Sequence, residues 1–143
     1  LCAYLAIKNL DDRQFKKAVL VLTTGMNIFL FISFVWPTGL NLRESIVYDL
    51  HTLSGNLLKF VQTVDTPKSV FPSMHVYVTL VLQYTLEMQK KLVPSWGIWV
   101  GRVLAMLIVL STMFTKQHSV LDVSAAIVMF AVLVVVVEKI VKK

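Results

Sequence analysis

Four apolar runs of about 20 residues, at 18–36, 70–89, 94–115 and 119–138, dominate this sequence of 143 residues. A helix crossing the roughly 30 Å hydrocarbon core of a bilayer needs about that many residues, since each adds about 1.5 Å along the axis. Only 15% of the residues are charged and 57% are hydrophobic, whereas a soluble domain averages about a quarter charged. The mean hydropathy of +0.74 says the same: there is too little polar surface to coat a water-soluble globule. Soluble enzymes, disordered tails and nucleic-acid-binding domains are excluded on these grounds. The expected fold is all-α, a polytopic transmembrane helical bundle forming a single domain over 1–143, with about four spans.

The basic residues give the bundle a direction. Lys8, Arg13, Lys16, Lys17, Lys90, Lys91, Lys139, Lys142 and Lys143 fall on one side if all four runs span, and Arg43, Lys59, Lys68 and Lys116 on the other. Arg102 lies inside the third run, near enough to its start to snorkel back to the richer side. By the positive-inside rule the richer side is cytoplasmic. The net charge of +6 is then explained by topology and anionic headgroups rather than by nucleic acid. The 36–70 and 115–118 connections face outward. Within the first, Ile46, Val47, Leu50, Leu53, Leu57, Leu58 and Val61 recur at helical spacing among polar residues, which predicts an amphipathic interfacial helix over 41–64, with Gly55 a point where it could break. Cys2 is the single cysteine, so no intrachain disulfide forms, and the sequence contains no Cys/His metal cluster. The apolar stretch 1–7 is too short to span and reads as the tail of an earlier helix.

Three segments put polar groups at the outer level: W-P-T-G-L-N-L-R at 36–43, F-P-S-M-H at 71–75 and S-T-M-F-T-K-Q-H-S-V-L-D at 111–122. His118 and Asp122 are four apart, so on a helix they share a face. A carboxylate in the first turn of a span needs a partner, and His118 would be oriented by it in the manner of a catalytic triad. The other reading has Asp122 capping the helix start. Pro72 suits the first helical position, which places His75 about one turn into the second run with Ser73 beside it. Two histidines at one level can divide attack and leaving-group protonation between them, as phosphoryl transfer requires. Arg43 offers forked donors matched to phosphate oxygens, and Lys116 lies two residues before His118. His51 has no motif around it and is assigned to the interfacial helix.

Together these segments resemble the type 2 phosphatidic acid phosphatase superfamily, whose motifs are Lys-x6-Arg-Pro, Pro-Ser-Gly-His and Ser-Arg-x5-His-x3-Asp. Pro72, Ser73 and His75 match the second, with Met74 in place of glycine; Ser111, His118 and Asp122 match the third, with Thr112 in place of arginine. Of the first motif only Arg43 matches, since Trp36 stands at the lysine position and Glu44 at the proline. The resemblance covers roughly 18–138. It implies a six-span fold of which one or two N-terminal spans lie outside this sequence. It also implies a phosphohistidine on His118, orientation by Asp122 and proton transfer by His75. Arg43, Ser73 and Ser111 would hold phosphate, and no metal or other cofactor is needed. Lys116 could replace one of the two missing basic groups.

The function expected is removal of phosphate from a lipid phosphate or diphosphate. The partners are lipids and not nucleic acid, and the site lies on the extracytoplasmic face of the cell membrane. Two alternatives stand beside it. One is transfer of a phosphate-bearing headgroup to a lipid alcohol, as in the sphingolipid synthases of the wider superfamily; the other is a non-catalytic, degenerate member.

Overall fold

The computed structural model describes residues 11–36, 51–64, 71–115 and 118–141. Arg43, Lys68, Lys116, the stretch 1–7 and the first part of the expected interfacial helix lie outside them. The described residues form five helices and no strand: α1 Asp12–Val35, α2 Leu53–Val64, α3 Met74–Met88, α4 Ser95–Phe114 and α5 Val120–Ile140.

Local chemistry sets the helix ends. Asp11 caps α1, and the Gln14 side chain reciprocates by accepting from the Asp11 amide at 3.4 Å, so two amides left open by the first turn find acceptors. At the other end Trp36 takes φ −134° and ψ 78°, outside the helical region, as a residue preceding a proline is driven to do. Pro94 precedes α4, and Ser119 caps α5.

Three helices are long and apolar enough to cross a membrane: α1, α4 and α5. The chain is an integral membrane protein with a helical-bundle fold. The expected span 70–89 contains the helix α3. Ser73 caps α3 at one end, and the helix closes at Gln89, so its 15 residues rise about 22 Å. This helix is the hub of the bundle, packed against α1, α4 and α5. It buries Val76, Tyr77, Val81 and Thr85 in a core shared with Val21, Val123, Ala126, Leu133 and Val137. The Tyr77 hydroxyl donates to the Val21 carbonyl of α1 at 2.5 Å. Its ring lies over Gly25, where a Cβ would stand 2.1 Å from Tyr77 Cζ. Glycine permits that approach.

Polar cross-links gather at one end of the bundle. Gln14 Nε2 donates to the Met88 carbonyl at 3.0 Å, Lys17 pairs with Glu138 at 2.5 Å, and the Tyr84 hydroxyl donates to Glu138 at 2.6 Å. Arg102 reaches back to Glu87 at 2.7 Å, with its guanidinium 4.9 Å from the Trp99 ring centre. These contacts bring the start of α1, the end of α3, the first half of α4 and the end of α5 to one level. The basic residues flanking them therefore share a side, as the charge distribution requires. Of the expected interfacial helix, α2 is the described part; Leu53, Leu57, Phe60 and Val61 are exposed along one face of it, spaced as an interfacial helix needs.

Candidate active site

The opposite end of the bundle is built from two helix starts. Ser73 is the N-cap of α3, fully buried, and its hydroxyl accepts from the Val76 amide at 3.4 Å. Pro72 therefore precedes the cap rather than occupying the first helical position, and His75 is the second residue of the helix. Ser119 is the N-cap of α5. Its hydroxyl accepts from the Asp122 amide at 3.3 Å, while the Asp122 carboxylate accepts from the Ser119 amide at 2.6 Å. One backbone bond joins the two starts: the Ser73 amide donates to the Asp122 carbonyl at 3.2 Å.

This junction brings together histidines 43 residues apart in the chain. His118 Nε2 lies 3.5 Å from His75 Nδ1, the outer limit of hydrogen-bond reach, and the ring centres are 5.7 Å apart at an interplanar angle of 55°. The two differ in setting. His118 is 8% exposed, and its amide donates to the Thr112 carbonyl at 3.2 Å, which ties it to the end of α4. His75 is exposed. The amides of two helix starts lie beside the pair, an arrangement that favours an anion.

The geometry corrects the expected contact between Asp122 and His118. Their spacing puts two residues on one face only within a helix, and α5 begins at Val120, two residues after His118. Asp122 sits at the third helical position, where its carboxylate closes the capping box with Ser119. Among the described residues its hydrogen-bond partner is the Ser119 amide and not the imidazole. Both residues are buried. The Ser119-x-x-Asp122 pattern was the sequence signal for this cap.

The residues expected to hold phosphate divide. Ser73 is at the junction. Ser111 is exposed, donates its hydroxyl to the Ile108 carbonyl of its own helix at 2.8 Å, and has no contact with the histidine pair among the described residues. Arg43 and Lys116 lie outside those residues. Thr112, noted in the sequence only for what it replaces, is buried, and its carbonyl is what fixes His118. Among the described residues no group of three or more His, Cys, Asp or Glu side chains is placed to hold a metal ion.

A cavity of about 480 Å³ opens at the same end, lined by Phe31, Ile32, Val35 and Trp36 of the α1 terminus and by Phe71, four residues before His75. All five side chains are apolar or aromatic. Comparison with family models, with characterised proteins and with solved structures finds no match to this chain.

Proposed function

We propose that this chain is a membrane-embedded hydrolase that removes phosphate from a lipid phosphate or diphosphate through a phosphohistidine intermediate. The observation that carries the reading is the approach of His118 to His75 at 3.5 Å across two helix starts. The apolar cavity beside Phe71 supports a hydrocarbon-bearing substrate.

The two settings assign the roles. His118, buried and tied to Thr112, is the nucleophile: its Nε2 lone pair attacks phosphorus, and the bond from phosphorus to the lipid oxygen breaks. His75, protonated, gives that oxygen its proton. Water then attacks the phosphohistidine, neutral His75 takes the proton, and inorganic phosphate leaves His118 free. A phosphoryl group between the rings needs about 3–3.5 Å from the attacking nitrogen to phosphorus and about 2.6–3.2 Å from the leaving oxygen to its proton donor. The present separation is too small for both. Rotation of the exposed His75 outward supplies the room, while His118 stays in place. Exposure of His75 to the aqueous side also favours water as the acceptor, hence hydrolysis over transfer to a lipid alcohol. Charge stabilisation by helix-start amides and the basic residues Arg43 and Lys116 would complete the site. The site lies on the extracytoplasmic face of the cell membrane, by the positive-inside argument.

The test is phosphate release by the reconstituted chain from a panel of lipid phosphates and diphosphates, with and without a lipid alcohol. The reading expects release without any acceptor. Product formed only when the alcohol is present would replace hydrolysis with transfer, and inactivity on the whole panel would remove the enzymatic reading.

Asp122→Asn separates charge from capping. Asparagine retains an oxygen for the Ser119 amide, so the thermal midpoint is expected to stay within about 2 °C, the shift of a few tenths of a kcal/mol. Loss of the buried charge four residues after His118 is expected to slow turnover by roughly ten- to a hundredfold, the effect of about 1.4–2.8 kcal/mol of Coulomb energy. A fall of about 10⁴ would instead mark a carboxylate that fixes the imidazole tautomer, and would restore the direct contact.

A further inference from the structure

The outward face of α1 carries an amide where lipid should be. Asn27 is exposed, as are Thr23 and Thr24. It lies ten residues from Lys17 and nine from Trp36, about 15 Å and 14 Å along the helix axis, and so near the middle of a hydrocarbon core about 30 Å thick. Its Nδ2 donates to the Thr23 carbonyl at 2.8 Å. Among the described residues its Oδ1 and second N–H have no partner. The Thr23 hydroxyl, by contrast, is satisfied within the helix, by the Val19 carbonyl at 2.7 Å.

The helix cannot turn this face inward. Ala18, Val21 and Gly25 are its buried positions, and Gly25 is held against Tyr77. At about 100° per residue, Thr23 and Asn27 stand roughly 160–200° around the helix from Gly25. On the same outward face Leu20, Leu30, Phe31 and Phe34 are exposed, at 40%, 59%, 69% and 89%.

We propose that this face is the contact surface between two copies of the chain, which meet through Asn27 in the middle of the membrane. An amide unpaired in hydrocarbon is unfavourable, and polar side chains on transmembrane helices find each other for that reason. The second copy is the occupant the chemistry selects. All copies insert with one orientation, so each presents its Asn27 at the same depth. A two-fold axis along the membrane normal then brings one amide to the other, and an amide carries both the donor and the acceptor that such a self-complementary contact requires. The flanking Leu20, Leu30 and Phe34 supply the apolar packing above and below.

The test is association of the donor- and acceptor-labelled full chain in liposomes, followed by energy transfer as lipid is added. Asn27→Leu is expected to weaken association about three- to thirtyfold. Asn27→Gln, which keeps donor and acceptor, is expected to stay within about threefold of the parent. Leucine on a lipid-facing position leaves the bundle intact, so the comparison does not depend on a fragile variant. In a Cys2→Ser background that keeps Asn27, Leu20→Cys on the same face is expected to oxidise to a linked dimer, and Val128→Cys on the exposed face of α5 is not. Energy transfer absent at every dilution, or equal for the parent and Asn27→Leu, would overturn the proposal, as would failure of Leu20→Cys to cross-link between copies. None of these readouts depends on phosphatase activity.

Discussion

His118→Ala is expected to lower turnover of a lipid phosphate by on the order of 10⁴–10⁶, the scale on which removal of a covalent nucleophile acts. The fold should survive, because the hydrogen bond that anchors this position runs from the His118 backbone amide to the Thr112 carbonyl and does not involve the ring. Thermal unfolding in detergent checks that, beside the rate. His75→Ala is expected to behave differently. Its loss removes proton transfer, worth about 10²–10⁴, and the deficit should shrink for substrates whose leaving oxygen departs without help, such as an aryl phosphate. Equal deficits for the two variants on every leaving group would mean that the division of labour between the buried and the exposed imidazole is wrong.

Gly25→Ala is expected to have the largest effect on stability. The new Cβ would fall 2.1 Å from Tyr77 Cζ and 2.4 Å from Cε1, atoms of a ring that is 1% exposed and packs edge-on against Phe130 at 6.3 Å between centres. The ring has nowhere to go, so α1 and α3 must separate. Overpacking of this kind costs about 1–3 kcal/mol, and loss of the bond from Tyr77 to the Val21 carbonyl adds roughly 0.5–1.5 kcal/mol. Tyr77→Leu alone is also destabilising. Combined with Gly25→Ala, however, it should recover part of the loss, because the clash is removed, giving a coupling of about 1 kcal/mol or more in a double-mutant cycle. Strict additivity would show that the two residues do not meet. Since Tyr77 lies two residues after His75 on α3, Gly25→Ala should also reduce activity in the fraction that remains folded.

The apolar runs made most of the bundle legible. The expected spans 94–115 and 119–138 fall within two residues of α4 and α5 at each end. α1 begins at Asp12, six residues before the apolar run at 18–36, because its first turns carry Arg13, Lys16 and Lys17; the signal for that start is the Asp11/Gln14 capping box and not hydropathy. The run at 70–89 holds α3, and hydropathy alone could not show that this helix packs against three others. At the site, the common level of His75 and His118 could be inferred from spans alone. The contact of Asp122 with His118 could not, since spacing carries a geometric meaning only once the helix start is known, and Ser119 places that start after His118. The backbone anchors, Thr112 to His118 and Asp122 to Ser73, left no trace in the sequence, because a carbonyl accepts whatever side chain it carries.

The most direct measurement is to expose the reconstituted chain briefly to a radiolabelled lipid phosphate, quench it in denaturant and locate the label. A phosphohistidine mechanism predicts label on His118 that is lost in acid and retained in alkali, absent from His118→Ala and, with a labelled aryl phosphate whose leaving group needs no proton, accumulating in His75→Ala, where water attack on the intermediate is slowed. Phosphate released at full rate with no label on His118 at any time, or label on another residue, would contradict it.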